Sequence, residues 1–301
     1  MNCPIPNESL IDRLFRVLLA LSFFILAYFW LWSYWQIAAY IVSAILAATA
    51  AMGFCGLYKL FGWDTTKLKW HPKAKIIWPI FAVVFILLAS GGSYASMFFT
   101  RKFFLEDYNR MNNSYKQTLF TTGQGQREIS ISNYGQLVTG YGEFMGKYAA
   151  YHPYFLRKDA RLADDLRSVQ GIIADLKATI VDGDLQEAHK KLEQIRPIFQ
   201  DMLKRNGFSM LAVYLVDFHD SMEKVITAAD AKDAAGVLET YKEADAKLKD
   251  VESAANDSEI QAIRARLEEL SGLAGQGKAD DLSAKAAELK SSFVKVYLTR
   301  G

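Results

Sequence analysis

Three long apolar runs in the first third of the 301-residue chain limit what it can fold into. They extend over about Leu14 to Trp32, Ile37 to Leu60 and Ile76 to Phe99. Each supplies about twenty residues, and an α-helix of that length crosses the roughly 30 Å of hydrocarbon in a bilayer. A cleaved signal peptide would be shorter and would end in a small-residue cleavage site, which the first run lacks. The sequence therefore predicts three transmembrane helices.

The charges in the loops predict how these helices are oriented. Arg13 and Arg16 precede the first apolar run, and the connection from residue 31 to residue 36 contains no charged residue. The end of the second run and the connection to the third contain five lysines: Lys59, Lys67, Lys69, Lys73 and Lys75. Because cytoplasmic loops are enriched in Lys and Arg, we expect the N-terminus and this loop in the cytoplasm. Three crossings then leave the chain after Arg101 on the outer side of the membrane. In a bacterium with two membranes, that side of the inner membrane is the periplasm.

The tryptophans agree with this arrangement. All six lie near the predicted ends of the spans: Trp30, Trp32, Trp35, Trp63, Trp70 and Trp78. An indole ring is amphipathic and prefers the headgroup level of a bilayer. We therefore expect these six side chains to anchor the protein at the membrane interfaces, in contact with the lipid bilayer.

The composition changes near residue 102. Residues 1–102 contain nine Lys and Arg against three Asp and Glu, whereas the remainder contains 26 against 30. A mildly acidic domain lacks the basic face that nucleic acid requires, so we expect no nucleic-acid partner. Both cysteines, Cys3 and Cys55, lie in the first part, which leaves the second part without a disulfide or a thiol metal site. The sequence predicts a membrane domain over residues 1–102 and a helical domain over residues 103–301.

Apolar residues in the second part recur at intervals of three and four, which is typical of amphipathic helices. These stripes cover residues 162–180, 185–202, 211–225, 237–251, 260–270 and 282–296. Short polar or glycine-containing turns separate them, and short connections favour antiparallel neighbours. We expect a strand only as a short piece near Ile129–Ile131. The predicted fold class is all-α, with three transmembrane helices followed by a periplasmic antiparallel helical bundle.

An aromatic and glycine-rich stretch is the strongest candidate for partner binding. Its aromatic residues recur at three, four and seven, and they include Tyr134, Tyr141, Phe144, Tyr148 and Tyr151. Tyrosines provide a large contact area, and the interleaved glycines allow close approach of another surface. One interpretation is a docking face for another subunit of a membrane complex. The other is internal packing against the bundle, and the sequence leaves both open.

His219 and Met222 are the candidates for metal or haem binding, because His and Met one turn apart suit haem or copper. Met222 already belongs to the apolar stripe of its helix, and no C-x-x-C-H is present for covalent haem. A boundary histidine is therefore favoured, and no cofactor is. The sequence also lacks a P-loop, a GxSxG and an HExxH, so we do not expect an enzyme.

Three short motifs resemble a known family. They are IDRLFRVLLAL at the start of the first run, GFCGLYKLFG after the second, and WDTTK directly behind it. Together they resemble the YgaP-type transmembrane domain of bacterial inner membranes over residues 7–70. The resemblance implies family positions at Asp12, Arg13, Arg16, Cys55, Leu57 and Tyr58.

The chain departs from that family at Gly56, where proline is more frequent, and in lacking the rhodanese domain that some members contain. The resemblance therefore gives no reason to infer sulfur transfer by Cys55. A free cysteine in a membrane helix more often serves as a small apolar filler. A structural role for Cys55 is favoured over a reactive one.

These observations favour a non-enzymatic accessory or scaffold subunit of a bacterial inner-membrane complex. Its periplasmic helical domain would bind a partner subunit. A membrane-tethered haem- or metal-binding bundle is the alternative, and a small-molecule sensor is a third interpretation.

Overall fold

The computed structural model describes residues 6–67 and 74–300, and all the regular structure in these residues is helical. The chain forms two compact units. The first, which we call the membrane unit, consists of Met1–Phe103 and Tyr148–Lys158. The second, which we call the helical unit, consists of Phe104–Lys147 and Asp159–Gly301.

Helices α1 (Leu10–Phe29) and α2 (Ser33–Met52) form a hairpin in the membrane unit. The side chain of Ser9 caps α1 by accepting from the N–H of Asp12. The buried side chains of α2 are all small: Ala39, Ser43 and Ala50. Ser43 Oγ donates to the carbonyl of Ala20 at 2.7 Å. Small residues let the two backbones approach closely, as is common between helices in membranes.

Helix α2 ends at Met52, so the prediction of one helix continuing to Leu60 is wrong. Gly53 has φ +70°, and its N–H donates to the carbonyl of Thr49 at 2.8 Å. A left-handed glycine is a common helix stop, because it has no Cβ to clash. A separate short helix, α3 (Gly56–Leu60), and a 3₁₀ turn (Thr65–Lys67) follow.

The third apolar run forms α4 (Ala74–Ile86), a π-turn (Leu87–Gly91) and the beginning of α5 (Gly92–Gly123). These combine into a helix of 49 residues from Lys75, and no side chain of its most apolar stretch is buried by the protein. Apolar surface of this extent that protein does not cover is suited to lipid. In the described part of the chain, this helix and α2 are long and apolar enough to span a membrane.

Helix α1 has the length of a span but three charges near its start. Asp12, Arg13 and Arg16 lie in its first two turns, so every 18-residue stretch of this 20-residue helix contains all three. They reduce its apolar character below that of α2. A transmembrane position for α1 therefore stays a prediction.

The helical unit contains the second part of α5, most of α6 and seven further helices. Their bounds are α6 (Arg127–Ala150), α7 (Leu162–Val181), α8 (Leu185–Glu193), α9 (Ile195–Arg205), α10 (Met210–Asp230), α11 (Ala234–Ala254), α12 (Ser258–Gly275) and α13 (Leu282–Arg300). The stripe predicted over residues 185–202 is divided at Gln194, which places Pro197 in the first turn of α9, where no N–H is required. The strand predicted near Ile129–Ile131 is wrong, because these residues lie in α6.

Helices α10 to α13 pack as a closed ring of four, each against its neighbours in sequence and α13 against α10. Connections of a few residues make successive helices antiparallel. Phe218 and Phe293 meet inside this ring at 5.6 Å between ring centroids, and both are fully buried. The predicted apolar stripes are the buried faces of these helices.

Candidate functional site

The residues just before α1 lie against the end of α2 in the membrane unit. The N–H groups of Asn7 and Glu8 both donate to the carbonyl of Gly53, at 3.1 and 3.2 Å. The Asn7 amide donates to the carbonyl of Cys55 at 3.0 Å and accepts from its N–H at 2.8 Å. This double hydrogen bond fixes the backbone of Cys55, whose side chain is buried.

Arg13 neutralises the carboxyl end of α2. Its Nε donates to the carbonyl of Ala50 at 2.6 Å, and its Nη2 donates to the carbonyl of Ala51 at 3.0 Å. The last carbonyls of a helix have no partner within the helix and form the negative end of its dipole. An arginine at this point therefore satisfies hydrogen bonds and stabilises the hairpin electrostatically.

Arg16 is the centre of a buried ionic cluster. Its Nε lies 3.0 Å from Asp12 Oδ1 and 3.1 Å from Glu8 Oε1, and its Nη1 donates to Thr49 Oγ1 at 3.1 Å. The guanidinium stacks over the ring of Tyr58 at 4.7 Å. We call Glu8, Asp12, Arg16, Thr49, Tyr58 and Thr65 the Arg16 cluster; Thr65 completes it by donating to Asp12 Oδ2 at 3.0 Å.

The carboxylate of Glu8 is the least satisfied member of this cluster. Its side chain is fully buried, and although Arg16 is close, neither oxygen has hydrogen-bond geometry to any described residue. Burial raises the pKa of Glu8, and the positive charge of Arg16 offsets only part of that rise. The charged form of Glu8, just before α1, is therefore disfavoured by burial without hydrogen bonds.

The Arg16 cluster explains why the family positions have their residue types. Asp12, Arg16 and Tyr58 contact one another across the hairpin, and Arg13 caps α2 beside them. Leu57, by contrast, is 64% exposed. The sequence did not indicate Asn7, Thr49 or Thr65, because their partners lie 33 to 58 residues away along the chain. It did not indicate Glu8 either, because Glu8 precedes α1 and meets Arg16 outside any helical spacing.

An aromatic cluster lies where α1 and α2 connect. Arg157 Nη2 donates to the carbonyl of Leu31 in this connection at 2.8 Å. The ring of Tyr154 lies 5.0 Å from Phe29, and that of His152 lies 4.7 Å from Trp32. Burial lowers the pKa of His152, which favours its neutral form. Tyr151, a predicted partner-binding residue, is half-buried in the same segment.

The tryptophans of the described residues lie at helix ends. Trp30 and Trp32 flank the α1–α2 connection, and Trp35, Trp63 and Trp78 are 77%, 62% and 51% exposed. Trp70 lies outside the described residues. Anchoring of these side chains at the membrane interfaces stays a prediction.

The aromatic side chains of α6 are mostly buried. Tyr141, Phe144 and Tyr148 are each 2% exposed, and the hydroxyl of Tyr141 donates to the carbonyl of Leu166. Tyr134 is partly exposed and donates to the carbonyl of Ile173 at 2.9 Å. Tyr141, Phe144 and Tyr148 thus lie on the buried face of α6, and partner binding by the aromatic residues of this stretch stays a prediction.

The opposite face of α6 is exposed and contains mostly small and β-branched residues. We call Ile131, Gly135, Val138, Gly142 and Gly146 the glycine face. All five are exposed, Ile131 to 39% and Val138 to 44%. A Cβ added to any of the three glycines would meet no atom within 4 Å. The helical period of the sequence predicts that these residues and the aromatic ones lie on different faces of α6. It does not predict which of the two faces is buried.

His219 and Met222, the pair considered for metal or haem binding, lie in different surroundings. Met222 is fully buried in the ring of α10 to α13, whereas the imidazole of His219 lies at its edge, stacked 5.6 Å from Tyr297. Its nearest acidic neighbours are Asp220 at 3.3 Å and Glu223 at 3.8 Å. The described residues contain no group of three His, Cys, Asp or Glu side chains able to bind a metal ion. Haem or metal ligation by His219 and Met222 stays a prediction.

Comparison with known families supports the resemblance deduced from the motifs. Residues 1–69 match the family described as inner membrane protein YgaP-like, transmembrane domain. The match includes the whole Arg16 cluster and less than a quarter of the chain, and the rest has no family assignment. No curated protein and no solved structure matches the chain. The chain is a membrane protein in which a YgaP-like transmembrane domain is joined to a helical body.

Proposed function

We propose that the protein is a non-enzymatic accessory or scaffold subunit of a bacterial inner-membrane complex. Its helical unit binds an α-helix of a partner subunit through the glycine face of α6. The observation that supports this proposal is the exposure of that face, which the described residues leave uncovered.

The glycine face has the chemistry of a helix-packing surface. Gly135, Gly142 and Gly146 form a shallow track along α6, and Ile131 and Val138 border it with apolar side chains. Glycines at intervals of four and seven let a second helix approach the backbone closely, and β-branched residues then pack against it. A charged ligand would find no matching charge on these five residues.

The experiment uses Gly142→Leu in the full chain. A Cβ added at Gly142 meets no described atom within 4 Å, so we expect Gly142→Leu to fold while its side chain blocks the track. Gly171→Leu in α7 is the matched control, because that glycine is also exposed in a helix with no atom near its Cβ position. On a blue-native gel in mild detergent, we expect wild type and Gly171→Leu to migrate in a complex with an identified partner and Gly142→Leu to migrate alone. A monomeric wild type, or a complex that persists in Gly142→Leu, would contradict the proposal.

The proposal includes three spans, with the N-terminus in the cytoplasm and the helical unit in the periplasm. The lysine-rich connection supports this orientation, and the contacts of Asp12, Arg13 and Arg16 at one end of the hairpin leave the rest of α1 apolar. Single cysteines in a Cys3→Ser, Cys55→Ser background test it. A membrane-impermeant maleimide should label Gln124→Cys from the periplasm and leave Lys67→Cys unlabelled until the cells are lysed. The reverse pattern would overturn the orientation.

A further inference from the structure

Four helices of the helical unit, α5, α9, α10 and α11, enclose a cleft of about 230 Å³. Nearly every side chain that lines it is polar or charged, and only Met210 and Val213 are apolar. Packed helices normally bury apolar side chains against one another. A concentration of phenols, amides and charges at a four-helix junction is therefore a feature that requires an explanation.

Tyr108 is the most deeply placed polar group of the cleft. Tyr108 is only 5% exposed, and the centroid of its ring lies 5.3 Å from that of Phe199. Its hydroxyl makes no hydrogen bond to any of the residues that the structure describes. The residue lines the cleft and its hydroxyl is not among the fully buried, unpartnered atoms, so water or a ligand in the cleft can accept a hydrogen bond from it. Burial raises the pKa of Tyr108, so the phenol stays protonated and can act as a hydrogen-bond donor.

Amide side chains lie beside this phenol. Asn112 is one turn from Tyr108 on α5, and Gln200 is one turn from Arg196 on α9. All four residues line the cleft. Amides both donate and accept, so they suit the polar body of a ligand without selecting its charge.

The charged groups of the cleft are of both signs. Lys116 Nζ lies 3.5 Å from Asp250 and 3.8 Å from Asp217, and Lys247 also pairs with Asp217 at 2.5 Å. The side chain of Asp250 is half-exposed, and among the described residues its carboxylate pairs only with Lys116, at 3.5 Å. Arg196 has no carboxylate within 4 Å among the described residues, and its positive charge acts on Tyr115, where it opposes the rise in pKa that burial causes. The cleft thus offers one guanidinium available to an anion and one carboxylate available to a cation.

We propose that this cleft binds a small zwitterion of the size of an amino acid. Arg196 binds the carboxylate of the ligand, Asp250 binds its ammonium group, and the Tyr108 hydroxyl bonds to the polar atoms between them. A plain anion would be repelled by Asp250 and a plain cation by Arg196. A cleft of about 230 Å³ has room for a small ligand such as an amino acid.

The test uses the purified full chain in detergent. The proteinogenic amino acids are added singly at millimolar concentration and the midpoint of thermal unfolding is measured. We expect at least one to raise it, because a ligand that binds only the folded state stabilises that state. Calorimetry then compares this amino acid with its N-acetyl derivative and its methyl ester, each of which keeps one charge. We expect each derivative to bind about tenfold more weakly or worse, which corresponds to losing one charge-assisted hydrogen bond.

Two variants locate the binding. Tyr108→Phe removes only the hydroxyl and keeps the ring packing, and Arg196→Gln removes the charge at an exposed position. Both should leave the midpoint without ligand unchanged and weaken binding about tenfold. Arg167→Gln, an exposed arginine of α7 outside the cleft, is the control and should bind like wild type.

Three results would overturn the proposal. They are the absence of any shift with every amino acid, equal binding of a derivative that has a single charge, and wild-type affinity in both Tyr108→Phe and Arg196→Gln. The glycine face takes no part in this binding, so the outcome is separate from that of the partner test.

Discussion

Each unit of the molecule contains an arginine that contacts two carboxylates, and the two clusters differ in how well those carboxylates are satisfied. In the helical unit, Arg264 donates two hydrogen bonds of 2.8 Å to Glu252 and a third to Asp245, which joins α11 to α12. Its side chain is 11% exposed, close to the 10% of Arg16. The difference therefore lies in the carboxylates and not in the burial of the arginine.

The pKa values of the carboxylates change in opposite directions. The hydrogen bonds from Arg264 lower the pKa of Glu252, and those from Lys249 and Arg264 lower that of Asp245 although its burial opposes them. Burial raises the pKa of Glu8 in spite of Arg16. Two parallel hydrogen bonds from one guanidinium stabilise a carboxylate far more than a nearby positive charge that makes no hydrogen bond to it. Geometry, more than charge count, decides what a buried ion pair contributes.

The largest effect should come from Arg16→Leu. It leaves two carboxylates without a counter-charge, one of them fully buried, and removing one partner of a buried pair costs about 3–5 kcal/mol. We expect the segment around Cys55 to open, because the N-terminal residues that cover it are then destabilised. In a Cys3→Ser background, the labelling rate of Cys55 by a maleimide measures this opening.

The matched control for that variant is Arg16→Leu combined with Glu8→Leu, which removes the buried carboxylate as well. It should recover part of the protection of Cys55. If Arg16→Leu alone keeps Cys55 as protected as the parent does, the ionic contacts do not maintain the hairpin end.

Arg264→Leu should have the next largest effect. Its partners are partly exposed, at 19% for Glu252 and 22% for Asp245, so water compensates some of the loss. We expect a loss of about 2 kcal/mol in the free energy of unfolding. The thermal midpoint of the full chain in detergent, followed by circular dichroism, would fall. An unchanged midpoint would show that α11 and α12 associate through their apolar faces alone.

Acid should separate the two clusters. Glu252 has a lowered pKa, so its contribution is present above the ordinary glutamate value of 4.5 and is lost as the pH falls through its lower folded value. Glu8 has a raised pKa, so its contribution is present below 4.5 and is lost as the pH rises through its folded value. Amide hydrogen exchange, corrected for its intrinsic pH dependence, should show α11 and α12 losing protection below pH 4.5 in wild type.

In Arg264→Leu that acid-dependent loss of protection should be smaller, because the lowered pKa values return toward their ordinary ones. The amides near Glu8 should not lose protection over the same range of pH. Equal behaviour of both regions would contradict the opposite signs assigned to their carboxylates.

The smallest effect should come from Arg266→Leu. Arg266 also contacts two carboxylates, Glu269 at 2.9 Å and Glu288 at 3.1 Å, but it is 43% exposed. Exposed ion pairs contribute about 0–1 kcal/mol. We expect a change in the thermal midpoint much smaller than that of Arg264→Leu, and a change of equal size would show that exposure does not determine the contribution.

The sequence was sufficient for the helices whose apolar residues repeat, such as α10 with Leu215, Phe218 and Met222 on its buried face. It was insufficient for the end of α2, because Phe54, Cys55 and Leu57 continue the apolar run beyond the glycine that stops the helix. Periodicity places residues on one face of a helix but does not show which face is covered, and α6 is the example.

The candidate sites were harder to predict than the fold, for a related reason. In the membrane unit, Asn7 bonds to Cys55 and Asp12 bonds to Thr65, and no local pattern records a contact across about fifty residues. The polar cleft likewise joins residues of α5 with residues of α9, α10 and α11. Single residues such as Asn112 or Gln200 look like ordinary surface positions until the helices are packed.

The π-turn at Leu87–Gly91 determines how insertions and deletions in the third apolar run should be interpreted. A π-turn is equivalent to one extra residue in an α-helix, and removing it would rotate everything that follows by about 100°. Gly92, whose Cβ position lies 3.4 Å from Ile25 of α1, would then turn away from that contact. Inserting or deleting one residue in this run therefore changes which face of the helix meets α1. Sequences of this region should be aligned so that Gly92 is matched, even where the run differs in length.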